Sequence, residues 1–151
     1  MKRALAFATL LALIAGVSAG SAPSDEDAIT ATAMDYIEGY YTGDAARMER
    51  ALHPDLAKRI VVDGPDGKSV LQDMTAKQLI QVTASGSGTR TPESERRMDV
   101  KVLDIYENAA SVRITAGEWI DYLHLGMVDG EWKIINVLWE FTPEAKARMQ
   151  R

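Results

Sequence analysis

The chain has no cysteine and only two histidines among its 151 residues. Without cysteine there is no disulfide, thiol nucleophile, thiolate-held metal or cysteine-linked lipid. Positive charge is also scarce: 17 Lys and Arg stand against 22 Asp and Glu, for a net charge of −5. Nucleic-acid binding draws on clustered Lys and Arg, so that class is disfavoured. Arg90, Arg96 and Arg97 are interleaved with Glu93 and Glu95 and read as solvated surface. Ser-His-Asp spacing, a nucleophile elbow and a phosphate loop are all missing. Gly86-Ser87-Gly88 sits in a polar stretch too short to signal phosphate binding. Neither an internal repeat nor a second domain is visible.

What is present is a folded chain. Apolar residues make up 46% of it, too many for a disordered polypeptide. Lys2 and Arg3 precede an uncharged run over 4–17, followed by small residues at 18–22. This three-part layout predicts a secretory signal peptide over 1–19, cut after Ala19. The apolar run is short of the roughly 20 residues a transmembrane helix needs, and no later run is longer. The expected product is an exported protein, periplasmic or secreted, with one domain over 20–151 and no membrane span.

Helical signals come first. Ser24 precedes Asp25, Glu26 and Asp27, which suit the positive end of a helix dipole. Ile29, Ala33, Tyr36, Ile37 and Tyr40 then share one face, and Gly43 is a natural stop. Asp44 caps a second helix through Leu52, which Pro54 ends, with one more turn expected over 55–59. Short strands are expected at 60–62 and 70–71, flanking the turn Gly64-Pro65-Asp66-Gly67. Thr75 caps a third helix over 76–82, and residues 84–95 read as a mobile loop.

The remainder reads as β. Residues 98–106 alternate and then slip phase near Leu103, which a bulge would explain. Ala110, Val112, Ile114 and Ala116 alternate cleanly. Asp129-Gly130 joins two long runs as a hairpin turn, and residues 143–151 read as a short polar helix or frayed end. A regular ladder from that turn pairs Leu123 with Asn136 and Asp121 with Leu138. One face then carries Trp119, Asp121, Leu123, Asn136 and Leu138. The other carries Ile120, Tyr122, His124, Ile135, Val137, Trp139 and Phe141. Both faces are largely apolar, so both need cover. Helices cover one. A second copy of the chain is the economical cover for the other, giving a homodimer through Ile120, Tyr122, His124, Ile135, Val137 and Trp139; the alternative is that the tail helix and loops cover it.

The order of elements resembles the nuclear-transport-factor-2-like superfamily, the cone-shaped α+β fold of ketosteroid isomerase and scytalone dehydratase. Within it, the chain is similar to the family called "putative lumazine-binding". The resembling stretches are residues 36–44 (YIEGYYTGD), 48–59 (MERALHPDLAKR), 121–125 (DYLHL) and 130–139 (GEWKIINVLW). The resemblance implies three N-terminal helices packed on a curved mixed or antiparallel sheet. It also implies a pocket between the Tyr36/Tyr40 helix face and the sheet.

The expected ligand site comprises Tyr36, Tyr40, His53, Trp119, Asp121, Asn136 and Leu138. Such an aromatic and carboxylate lining suits a heteroaromatic or carbonyl compound. Tyr36 and Tyr40 lie one turn apart and hold a ligand carbonyl, or else are core residues with bonded tips. Asp121, desolvated between Trp119 and Leu123, is a general base, a neutral acid donor, or a structural carboxylate bonded to Tyr36, Tyr40 or backbone. His53 is an acid/base at the cavity mouth or a cap on helix carbonyls. Two histidines on opposite faces make no metal cluster, and no cofactor is implied. The leading expectation is an exported small-molecule-binding domain. The rival is a cofactor-free isomerase, dehydratase or hydrolase using Asp121 or His53. A third is an interaction module whose own side chains fill the cavity.

Overall fold

The computed structural model describes residues 23–151; the expected signal peptide and its cleavage site lie outside the described residues. Helix α1 (Asp25–Thr42) opens with a capping box: the Ser24 hydroxyl accepts from the Asp27 N–H, and the Asp27 carboxylate accepts from Ser24. It ends at Gly43, whose φ of 73° is the left-handed conformation that glycine tolerates. Asp44 caps α2 (Ala45–Ala51) through the Arg47 N–H.

Strand β1 (Leu52–Asp63) follows at once and is far longer than expected. The residue before Pro54 avoids helix, as the sequence indicated. Residues 55–59, however, do not make another helical turn. Leu56, Lys58 and Ile60 face inward and alternate with Ala57, Arg59 and Val61, the period of two that defines a strand. On the strand, Arg59 donates to Asn136 Oδ1 at 3.3 Å.

Next come β2 (Ser69–Thr75), α3 (Ala76–Ala84), β3 (Asp99–Tyr106), β4 (Ala109–Thr115), β5 (Trp119–Val128), β6 (Glu131–Phe141) and α4 (Pro143–Met149). The six strands form one mixed sheet in the order β2-β1-β6-β5-β4-β3, with only the β1–β6 pair parallel. The described residues thus hold four α-helices, the fourth being the short C-terminal one. Residues 84–95 are not a featureless loop. They carry two 3-10 turns, Gly88–Arg90 and Glu93–Glu95, and Arg96 ties them together by donating to the Thr91 and Thr89 carbonyls. A side chain at Gly88 would collide with the Tyr40 carbonyl, so this segment lies directly on α1.

Two bulges set the sheet's faces. In β3, Leu103 is the unpaired residue between the Val102–Val112 and Asp104–Ser111 pairs, as the phase slip indicated. In β6, Ile135 is the unpaired residue between Leu125–Ile134 and His124–Asn136. That second bulge overturns the regular ladder drawn from Asp129-Gly130. Beyond it, Leu123 pairs with Val137 and Asp121 with Trp139. Val137 is therefore fully buried and Trp139 faces the helices, whereas Asn136 and Leu138 face away from them. A one-residue slip exchanges every side chain between faces. The core lies between α1–α3 and the inner face, with Ile29, Ala33, Ile37, Met48, Val112, Ile114, Leu123 and Ile134 fully or almost fully enclosed. Among the described residues, no helix is long and apolar enough to cross a membrane.

Candidate functional site

The inner face does not close completely. A cavity of about 250 Å³ remains between α1, α3 and the sheet. Its floor is buried: Tyr36 and Ile37 from α1, Met48 from α2, Lys58 from β1 and Leu79 from α3. Its other walls are the half-buried Tyr40, Met74, Val82, Glu118, Trp119, Trp139 and Phe141. Aromatic contacts hold this side in shape. The Tyr40 and Trp119 rings meet edge-to-face at 5.6 Å, and Trp139 and Phe141 at 4.8 Å. The neighbouring Tyr41 ties α1 to the β4–β5 connection by accepting from the Gly117 N–H at 3.2 Å.

The polar centre of the floor is Asp121, which is 0% exposed. It accepts three hydrogen bonds. Lys58 Nζ donates to Oδ1 at 2.7 Å, Trp119 Nε1 donates to Oδ2 at 2.7 Å, and the Tyr36 hydroxyl donates to Oδ2 at 3.2 Å. Lys58 Nζ also donates to the Tyr36 oxygen at 2.7 Å and lies 4.9 Å from the centre of the Trp139 ring. Strand β1 supplies Lys58, β5 supplies Trp119 and Asp121, β6 supplies Trp139, and α1 supplies the tyrosine.

Burial governs the protonation of the cluster. It pushes the Lys58 amine below its ordinary value, against the opposing pull of the Asp121 charge. It pushes the Tyr36 hydroxyl well above its ordinary value, and the Asp121 charge adds to that shift. Tyr40 is raised by burial too, partly offset by Arg90. Tyr36 therefore stays a neutral donor to Asp121 throughout the physiological range.

The structure sorts the expected site residues. Tyr36, Tyr40, Trp119 and Asp121 converge on the cavity or its floor. Asn136 and Leu138 do not, because the β6 bulge turns them outward; Val137 and Trp139 stand in their place, and Trp139 lines the cavity. His53 is not at the cavity either. It stands in the first residues of β1, and its Nδ1 accepts from the Asp55 N–H at 3.1 Å. His124 is on the outer face, within hydrogen-bond distance of Asn136. Lys58 was the residue missed. Its signal was the alternation Leu56, Lys58, Ile60, visible only once 55–59 is read as strand.

A sheet bent around helices over an apolar cavity with a few convergent polar groups is the architecture of a small-ligand domain. Solved structures share this nuclear-transport-factor-2-like (NTF2-like) cone fold. An NTF2-like protein of unknown function from Methylobacillus flagellatus matches with a TM-score of 0.61 and 22% identity, over 84% of this chain and 99% of that one. One from Shewanella baltica matches with a TM-score of 0.60 and 21% identity, over 79% and 94%. An NTF2-like protein with a cystatin-like fold from Novosphingobium aromaticivorans gives 0.55 and 11%, over 84% and 90%. At these identities the likeness establishes the fold alone. Comparison with curated proteins finds no match. The family profile described as "Putative lumazine-binding" matches residues 24–140, and the chain belongs to that family.

Proposed function

We propose that the chain binds a small, flat, largely apolar ligand in the cavity between α1 and the sheet, with a hydrogen-bond acceptor of the ligand on Lys58 Nζ. The observation that carries this reading is the unspent valence of Lys58. An ammonium has three donors. Two are taken by Asp121 and Tyr36, and the lysine lines the cavity. A volume of about 250 Å³ is below the roughly 300 Å³ where pockets for drug-sized ligands begin, so a one- or two-ring compound fits. The family's description names lumazine, a fused heteroaromatic with ring carbonyls, which has the required shape and acceptors.

Asp121 has no oxygen free to act directly on a ligand, because Lys58, Trp119 and Tyr36 all occupy its oxygens. Its role in this reading is to hold the lysine in place. His53 has no part in it.

The layout of residues 1–19 supports export to the periplasm or beyond. The outer sheet face supports a homodimer. Tyr122, Ile135 and Leu138 are each more than 40% exposed there. Leu138 takes the place assigned to Val137 and Trp139, which the β6 bulge turns inward. Across that face run Lys101, Arg113, Tyr122, Leu138, Arg59 and Asp73, one per strand.

Native mass spectrometry of the protein exported by its own host, against the denatured mass, tests these readings together. A dimer starting after Ala19 and carrying extra small-molecule mass is expected. A monomer overturns the interface, a retained residue 1 overturns the cleavage, and failure of every flat heteroaromatic or aryl carbonyl compound to bind the empty protein overturns the pocket.

A further inference from the structure

The cluster on the cavity floor has more than recognition chemistry in it. An amine becomes a carbon nucleophile when three conditions meet: it sheds a proton nearby, an acid stands ready for the departing oxygen, and bulk water is kept out. Lys58 meets the first through Asp121, whose Oδ1 is 2.7 Å from Nζ. The Tyr36 hydroxyl meets the second: it lines the cavity and is hydrogen-bonded to Asp121 Oδ2 at 3.2 Å, so it can hand its proton outward and take one from the carboxyl. The aromatic walls meet the third: Tyr36, Trp119, Trp139 and Phe141 surround the floor. The rest of the cluster keeps the amine aimed, since the Tyr36 oxygen accepts from Nζ while its proton goes to Asp121.

Resting on the binding reading above, we propose that Lys58 captures an aromatic aldehyde or ketone as an imine, with Asp121 as the proton partner. A proton passes from Nζ to Asp121 Oδ1, turning the ion pair into a neutral amine and a carboxylic acid. The nitrogen lone pair attacks the carbonyl carbon, the C=O π pair moves to oxygen, and a proton from nitrogen passes to that oxygen, giving a carbinolamine. The Tyr36 hydroxyl then gives its proton to the carbinolamine hydroxyl and takes the proton held by Asp121; the hydroxyl leaves as water while nitrogen forms the double bond to carbon. The ammonium–carboxylate pair plus a carbonyl compound becomes an iminium–carboxylate pair plus one water. No oxidant or reductant is consumed.

Charge conservation makes this site suited to the step. The iminium inherits the positive charge of the ammonium, so Asp121, fully buried, keeps a counter-charge at the end as at the start. Burial lowers the Lys58 amine and so raises its neutral fraction. Lys68, with a side chain 83% exposed, has no such enclosure. A ligand carbonyl that accepts the third N–H of Lys58 already holds its carbon close to the nitrogen.

The test uses the folded protein at neutral pH, benzaldehyde as the probe and cyanoborohydride to reduce any imine to a stable secondary amine, with peptide mapping of each lysine. Lys58 labelling at least about tenfold faster than Lys68, slowed by benzyl alcohol as a carbonyl-free competitor, is the expected result. Benzyl alcohol binding is followed separately through tryptophan fluorescence. If benzyl alcohol binds and Lys58 labels no faster than Lys68, the imine proposal is overturned and the pocket stands. If benzyl alcohol fails to bind and Lys58 stays unlabelled, both fall.

Discussion

Replacing Lys58 with methionine isolates the energetics of the cavity floor. Methionine fills the volume of the lysine stem but carries no charge. Asp121, with 0% exposure, then keeps only the Tyr36 and Trp119 donors. Breaking a buried pair by removing one partner costs about 3–5 kcal/mol, because the other charge is left uncompensated. With a urea m-value of roughly 2 kcal/mol/M for a domain this size, the midpoint falls by about 2 M. The double variant Lys58→Met/Asp121→Leu removes both charges. It is expected to recover part of that loss: apolar replacement of a whole buried pair is neutral or stabilising by about 1–4 kcal/mol, while the Tyr36 hydroxyl and the Trp119 N–H lose their acceptor. Urea unfolding of the wild type and both variants, followed by circular dichroism, reads all three midpoints. A Lys58→Met midpoint within about 0.3 M of wild type would refute the pairing. So would a double variant less stable than the single one.

The same cluster shapes the alkaline stability profile. Lys58 is lowered on folding, so between its folded value and about pH 10.4 the unfolded chain holds more protons, and stability rises with pH. Tyr36 is raised, so above about pH 10 the folded chain holds more protons, and stability falls. Urea midpoints from pH 8 to 11 are expected to lose the rise in Lys58→Met and the fall in Tyr36→Phe; unchanged profiles would contradict both assignments. Gly88→Ala drives a methyl into the Tyr40 carbonyl and is expected to cost about 1–3 kcal/mol, the range for overpacking, visible as a lower melting temperature. Leu138→Asp places a charge amid the exposed outer face; light scattering is expected to show a monomer with an unchanged fold.

The parts of the fold that could be read in advance were those with local causes. Ser24 with Asp27, Asp44, Thr75 and Gly43 announce helix ends through short-range hydrogen bonding, and the caps stand as expected. Ala110, Val112 and Ile114 alternate because only one side of β4 is buried. Leu103 broke its own pattern and so revealed a bulge. Ile135 did not. It sits in the stretch Ile134 to Trp139, apolar but for Asn136, and either phase satisfies hydrophobicity. The cost of that ambiguity was an exchange of faces for Asn136, Val137, Leu138, Trp139 and Phe141. Lys58 was hidden for a different reason. A lysine reads as surface until its partner is known, and Asp121 lies 63 residues away in sequence. Long-range pairing of opposite charges leaves no local trace.

The site itself was half legible. Tyr36, Tyr40, Trp119 and Asp121 come together because helical and strand periodicities each point them inward. Trp139 and Lys58, which complete the floor and wall, depend on the β6 bulge and on β1 running parallel to β6.

The pocket is tested most directly by titrating the wild type and Lys58→Met with lumazine and with single-ring aryl carbonyl compounds, reading the fluorescence of Trp119 and Trp139. A hydrogen bond to a charged donor is worth about 1.5–3 kcal/mol, or roughly tenfold to hundredfold in affinity. A saturable change in the wild type, weakened by that factor in Lys58→Met, is the expected result. Superimposable curves for the two proteins, or a flat response of the wild type to every compound, would contradict a ligand seated on Lys58.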